Sequence, residues 1–174
     1  MLTGGKGLSA TYEDKALEAL EVYLTRFKQD SDSIVFFPLA KAYLKAGETA
    51  QAIEVCREGL VKHPYYWGAR VVLAKAYLKL NKISEAKEEL EKVNKIVPNN
   101  VLAAKMLAQI YLREGELYKA VLCYRTISAF YPEQKEFTRQ IKFILEVEVP
   151  RKKKQIQVLE EYREVIRNLY RRRR

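Results

Sequence analysis

Glycine and proline are scarce in this 174-residue chain, at seven and five residues. Long all-β folds need many turn-forming residues, so the scarcity favours helices. Histidine occurs once, at His63, and cysteine twice, at Cys56 and Cys123, without paired spacing. A zinc site takes about four such ligands. A His/Cys metal site is therefore excluded on count, and no cofactor is expected. Two lone thiols fit a reducing compartment. No stretch approaches the roughly 18 uninterrupted apolar residues of a spanning helix. The N-terminal MLTGGKGLSATYEDKALEAL has no apolar run of about seven or more, as a secretory leader would. The expectation is a cytoplasmic protein.

Catalytic motifs are missing too. There is no nucleophile motif and no HExxH. GGKG near the N-terminus lacks the spacing and the following Ser/Thr of a phosphate loop. Glu88/Glu89 and Glu160/Glu161 are sequence neighbours that diverge on a helix and read as solvated surface. His63 precedes Pro64 and reads as a helix C-terminal residue. The chain is expected to be neither an enzyme nor the receptor of a small-molecule substrate.

What is present is enough apolar material for a core: 48% of residues are hydrophobic and 31% charged, so global disorder is not expected. The formal charge of +10 is unevenly placed. Residues 151–174 hold ten Arg/Lys against three Glu, a net of +7, which leaves +3 for the first 150 residues. The basic character belongs to the tail.

Pro64, Pro98 and Pro132 are spaced by 34 residues. With blocks starting at Ser33, Trp67 and Val101 in register, Leu39, Leu73 and Leu107 coincide. So do Ala40, Ala74 and Ala108, then Tyr43, Tyr77 and Tyr111, then Ala52, Ala86 and Ala120. Gly47, Asn81 and Gly115 form a further column of residues that tolerate the left-handed conformation ending a helix. Within a block, apolar residues recur at helical spacing: Val35, Leu39, Ala42 and Tyr43 on one stripe, Ala52, Val55, Cys56 and Leu60 on another. The spacing predicts first helices near 33–46, 67–80 and 101–114, and second helices near 49–62, 83–96 and 117–130.

This pattern of Leu, a small residue, Tyr, a turn, Ala, a bulky residue and a closing Pro resembles the tetratricopeptide repeat. Two columns depart from it. The first large position holds Phe36, Arg70 and Ala104, and a later small position holds Gly59, Val93 and Ile127. The resemblance covers 33–132 and implies an all-α, right-handed α-solenoid of antiparallel helix pairs. The expected organisation is an N-terminal segment, 1–32, with a capping helix near 11–28. Three repeats (33–66, 67–100, 101–134) follow, then a cap or half repeat at 133–149 and a basic amphipathic helix in 150–174.

In this family the first helices line a concave groove that binds another protein or peptide. Carried onto this chain, the groove positions are Ile34, Phe37, Lys41, Leu44 and Lys45; Val71, Lys75, Leu78 and Lys79; and Leu102, Lys105, Gln109, Leu112 and Arg113. Cationic rows beside a leucine row would suit a segment carrying acidic and apolar residues. Ordinary solvated helix faces would also carry such lysines. The two-carboxylate clamp of chaperone-tail-binding arrays is not matched. Its places hold Phe37 and Lys41, then Val72, then Leu102 and Met106, so only Lys41 is cationic. Tyr65, Tyr66 and Trp67 cluster at a repeat junction, where packing is the default reading.

After Pro150, Ile156, Leu159, Tyr162, Ile166 and Leu169 recur at spacings of three and four, followed by Arg171, Arg172, Arg173 and Arg174. Three readings are open: the stripe packs on the array, it self-associates through two short heptads, or the segment meets an anionic partner, whether nucleic acid, acidic protein or membrane. The leading expectation for the whole is a scaffold or adaptor.

Overall fold

The structure is a computed structural model, and it describes residues 19–30, 33–157 and 160. Among these there is no strand. The chain forms two compact units, residues 1–103 and 104–174.

The first unit holds α1 (19–29), α2 (Phe36–Ala46), α3 (Thr49–Lys62), α4 (Trp67–Lys79) and α5 (Ile83–Ile96). Helix α2 pairs with α3, α4 with α5, and α3 and α2 both pack on α4. The alanine column makes this close approach possible, because a small side chain at a crossing lets two helix backbones come near. Ala40, Ala52, Ala74 and Ala86 are all fully buried. Leu39 and Leu73 fill the space around them at 0% and 3% exposure, each worth roughly 1.5–3 kcal/mol of transfer free energy. Pro38 is tolerated at the third position of α2, since amides in a first helical turn have no intrahelical acceptor. From α1, Phe27 enters the same apolar cluster as Phe36 and Leu39, and Leu20, Tyr23 and Leu24 pack against it. The part of the expected capping helix before residue 19 lies outside the described residues.

Helix α6 (Val101–Arg113) starts at the end of this unit, capped by Asn100, whose Oδ1 accepts from the Ala103 amide at 3.0 Å. The second unit contains α7 (Leu117–Phe130), α8 (Lys135–Phe143) and a π-helical turn at Ile144–Glu148. Phe137 and Ile144 are fully buried in this unit, and Phe137 stacks on Tyr124 with ring centroids 6.4 Å apart.

The 34-residue period reappears in the backbone hydrogen bonds. Gly47, Asn81 and Gly115 have φ of 89°, 57° and 73°. One residue later, the amides of Glu48, Lys82 and Glu116 donate to the carbonyls of Tyr43, Tyr77 and Tyr111 at 2.9, 2.9 and 2.8 Å. Each first helix therefore closes in the same six-residue reversal.

At the fourth such place the reversal is lost. Val149, in register with the left-handed column, has φ −65° and ψ −49°. A β-branched residue strongly resists positive φ. Pro150 stands where Glu48, Lys82 and Glu116 donate, and it has no amide hydrogen. Residues 149–157 therefore continue as helix instead of folding back on α8. The sequence pattern predicts separate helices on either side of this point, in 133–149 and 150–174. The π-turn accommodates Pro150 instead, with the Val149 amide donating to the Ile144 carbonyl, five residues back. The wider turn relieves the clash that a proline ring makes with the preceding helical turn.

Candidate functional site

Helices α2 and α4 carry Lys41, Lys45, Arg70, Lys75 and Lys79 and no acidic residue. Their partners α3 and α5 carry Glu54, Glu58, Glu85, Glu88, Glu89 and Glu91. The acids of these two helix pairs thus lie on the second helices, among Arg57, Lys62, Lys87, Lys92 and Lys95. The charge count of the whole chain hides this segregation, but sorting charges by helix within each repeat reveals it.

On the α2–α4 side, Lys41, Lys45 and Lys79 are exposed, while Phe37, Leu44, Lys75 and Leu78 are half-buried. Val71, placed in a groove by its position in the repeat, is 5% exposed and belongs to the interior. Its β-branched apolar side chain is spent on packing. Phe37 lies against Tyr66 at 5.1 Å between ring centroids, and the Lys41 Nζ sits 5.3 Å from the Phe37 centroid. Lys79 reaches across to donate to the Leu44 carbonyl at 3.0 Å, at the C-terminal end of α2, where a cation is favoured. That contact takes up one of its hydrogens and fixes its ammonium at one edge of the face. Ile34 is exposed at 57% and Leu102 at 44%.

In the second unit, Gln109 and Arg113 are exposed and Leu112 is half-buried. Lys105 is already paired, with Nζ 2.9 Å from the Glu136 Oε1 and 5.7 Å from the Phe137 ring centroid. On α2 and α4 it is Arg70 that meets a carboxylate, that of Glu89, and neither helix carries an acid of its own. The clamp places give no second cation, and Val72 and Met106 are buried at 7% and 8%. Arg171 to Arg174 lie outside the described residues.

Two other groups flagged by the sequence are structural. At the junction, Tyr65 is 78% exposed, whereas Tyr66 packs edge-on to Phe36 at 5.5 Å. Arg70 orders this corner: its Nε and Nη2 donate to the Pro64 carbonyl at 3.2 and 2.8 Å, and its Nη1 lies 2.6 Å from the Glu89 Oε2. Burial pushes the Cys56 thiol up to about 12 and raises Tyr77 above the usual phenol range. On α5, the hydrogen bond from Lys92 and its charge hold Glu88 below the usual carboxylate range. No described group of three or more His, Cys, Asp or Glu could hold a metal ion. No described helix is long and apolar enough to cross a membrane.

Residues 43–110 match the family model of the tetratricopeptide repeat. That match supports a tetratricopeptide-repeat protein. Over 106 residues, 61% of its length, it is 31% identical to Sperm-associated antigen 1 of Mus musculus, and it spans 12% of that protein. The Rattus norvegicus protein is 30% identical over 106 residues. Among solved structures, MamA matches with a TM-score of 0.71 at 19% identity, covering 94% of this chain and 99% of MamA. The first tetratricopeptide domain of Spaghetti (RPAP3), bound to an HSP90 peptide, matches at 0.61 and 19% identity, covering 68% of this chain and 94% of that one. Likeness at these identities concerns the fold, an all-α solenoid of helix pairs. A tetratricopeptide array of this kind is a protein–protein interaction scaffold.

Proposed function

We propose that the α2–α4 face receives a segment of another protein that carries acidic and apolar residues together. The observation that carries this reading is the absence of any acid on α2 and α4, which leaves Lys41, Lys45, Lys75 and Lys79 beside the Glu89-paired Arg70, whereas α3 and α5 mix six glutamates with five cations. A single-sign face speeds encounter with a counter-charged partner and discriminates against like-charged ones. Leu44 and Leu78, half-buried between the lysines, offer apolar contact for the partner's own apolar side chains. The RPAP3 domain gives a precedent for a peptide on this fold. The absent clamp argues for an internal acidic segment over a free C-terminal carboxylate.

Calorimetry with acidic-apolar peptides tests this. The native chain should bind, and Lys41→Glu/Lys75→Glu should weaken binding by about tenfold or more, at the scale of close interfacial charge pairs. Unchanged binding in the double variant would remove the α2–α4 face from consideration. A mobility shift with nucleic acid at low salt, lost on neutralising Arg171 to Arg174, would instead support the tail as the binding element.

A further inference from the structure

The failed fourth reversal builds a cleft. Residues 149–157 run on as helix, and spacings of three and four put Val149, Lys152, Lys153 and Ile156 on one stripe. That stripe lies across the start of α7, where the Lys152 Nζ donates to the Gly115 carbonyl. Between the two elements is an open cleft of about 360 Å³, wholly within the second unit. Its apolar walls are Leu117, Tyr118, Val149 and Ile156, and its cations are Lys152 and Lys153.

Packing does not account for two of these side chains. Tyr118 shares its column with Ala50 and Ser84, yet it is 78% exposed. Ile156 is 47% exposed. Large side chains left this far in water contribute little to the fold, whereas tyrosine is a favoured anchor of protein contacts. The charge around them has one sign. Arg151 to Lys154 are four consecutive exposed cations, and residues 149–157 contain no acid. The acid that lines the cleft, Glu116, is held by Lys119 at 3.2 Å. Lys152 keeps two ammonium hydrogens after its bond to Gly115.

We propose that this cleft takes an acidic segment of a partner protein, with one large apolar side chain seated between Tyr118 and Ile156 and neighbouring carboxylates on Lys152 and Lys153. Charge complementarity selects the acidic partner. A cleft of this size is at the small end of ligand sites, so it holds a side chain or two of a longer segment. Three of its four apolar walls are aliphatic. That favours an apolar side chain over a nucleic-acid base, because bases stack on aromatic faces. The proposal stands apart from the α2–α4 reading and uses none of its residues.

Fluorescence polarisation on the full chain carrying Lys41→Glu/Lys75→Glu, which disables the α2–α4 face, reads this cleft alone. The probes are labelled peptides with leucine, phenylalanine or tryptophan flanked by glutamates, and a control with serine at the centre. At least one apolar peptide should bind, and the serine control should bind about tenfold more weakly or worse. Adding Tyr118→Ser, which matches Ser84 in the same column, should weaken the apolar peptide about tenfold or more. Adding Lys153→Glu should do the same, with circular dichroism confirming that each variant folds. No binding by any apolar peptide, or unchanged binding in either added variant, overturns the proposal. So does tighter binding of a single-stranded oligonucleotide that is lost in the same two variants, which would make the cleft a nucleic-acid site. Because the host chain already lacks Lys41 and Lys75, failure here leaves the α2–α4 reading untouched.

Discussion

Gly59 should be the least replaceable residue of α3. A methyl added at its Cα would overlap the Phe36 ring, with even Cε2 only 2.6 Å away. The ring cannot easily yield. It is fully buried, stacked on His63 at 5.6 Å and edge-on to Tyr66 at 5.5 Å. In an exposed helix interior, Gly→Ala would stabilise by about 0.8–1.0 kcal/mol through helix propensity. Overpacking a filled core costs about 1–3 kcal/mol, occasionally more, and the depth of this overlap points to the upper end. Gly59→Ala should therefore destabilise by about 1–2 kcal/mol net. The second half of the cycle is more diagnostic. In a Phe36→Ala background every obstructing atom, Cγ and Cδ2 included, is gone, so Gly59→Ala should revert to a gain of up to about 1 kcal/mol. Urea titration followed by far-UV ellipticity would measure all four chains. A Gly59→Ala chain more stable than the native one would refute the packing argument. So would an equal effect of the substitution in both backgrounds.

Two further perturbations test backbone strain and burial. Gly47→Ala meets no atom within 4 Å, so its cost is only that of holding alanine at φ 89°, about 1–2 kcal/mol. Gly47→Asn should cost less, since Asn81 occupies the same column at φ 57°; thermal denaturation would rank the two. Cys56 has its pKa pushed from 9.0 to about 12 by burial, so the folded chain keeps a proton that the unfolded chain loses. Its contribution is fully present below pH 9 and falls as pH rises towards 12, at about 1.4 kcal/mol per pH unit. Urea midpoints at pH 8 and pH 10 should therefore differ by less in Cys56→Ala than in the native chain, and equal differences would count against the burial argument.

The parts of the fold legible in the sequence are those that the 34-residue period forces to recur. Gly47, Asn81 and Gly115 predicted three reversals because only a few residue types accept positive φ, and the three reversals share one hydrogen-bond pattern. The second helices at Thr49–Lys62, Ile83–Ile96 and Leu117–Phe130 follow from the same register. Contacts decided by tertiary proximity were not legible. Arg70 and Glu89 are 19 residues apart, Lys79 and the Leu44 carbonyl 35, Lys105 and Glu136 31. Nothing in one-dimensional charge spacing distinguishes these lysines from Lys41 or Lys45. The departures from the repeat pattern were visible, but their cause was not. Gly59 faces the large Phe36, while Ile127 shares its column and Ala104 shares that of Phe36, both fully buried. Bulk lost in one column is supplied by the other, so each column looks irregular while their combination preserves the fill. The fourth reversal follows the same logic in the opposite direction. Val149 and Pro150 occupy columns whose requirements are now explicit, positive φ and an amide donor, and they meet neither. The failed reversal sends residues 149–157 onward as helix, and Lys152 meets the preceding reversal instead, its Nζ donating to the Gly115 carbonyl.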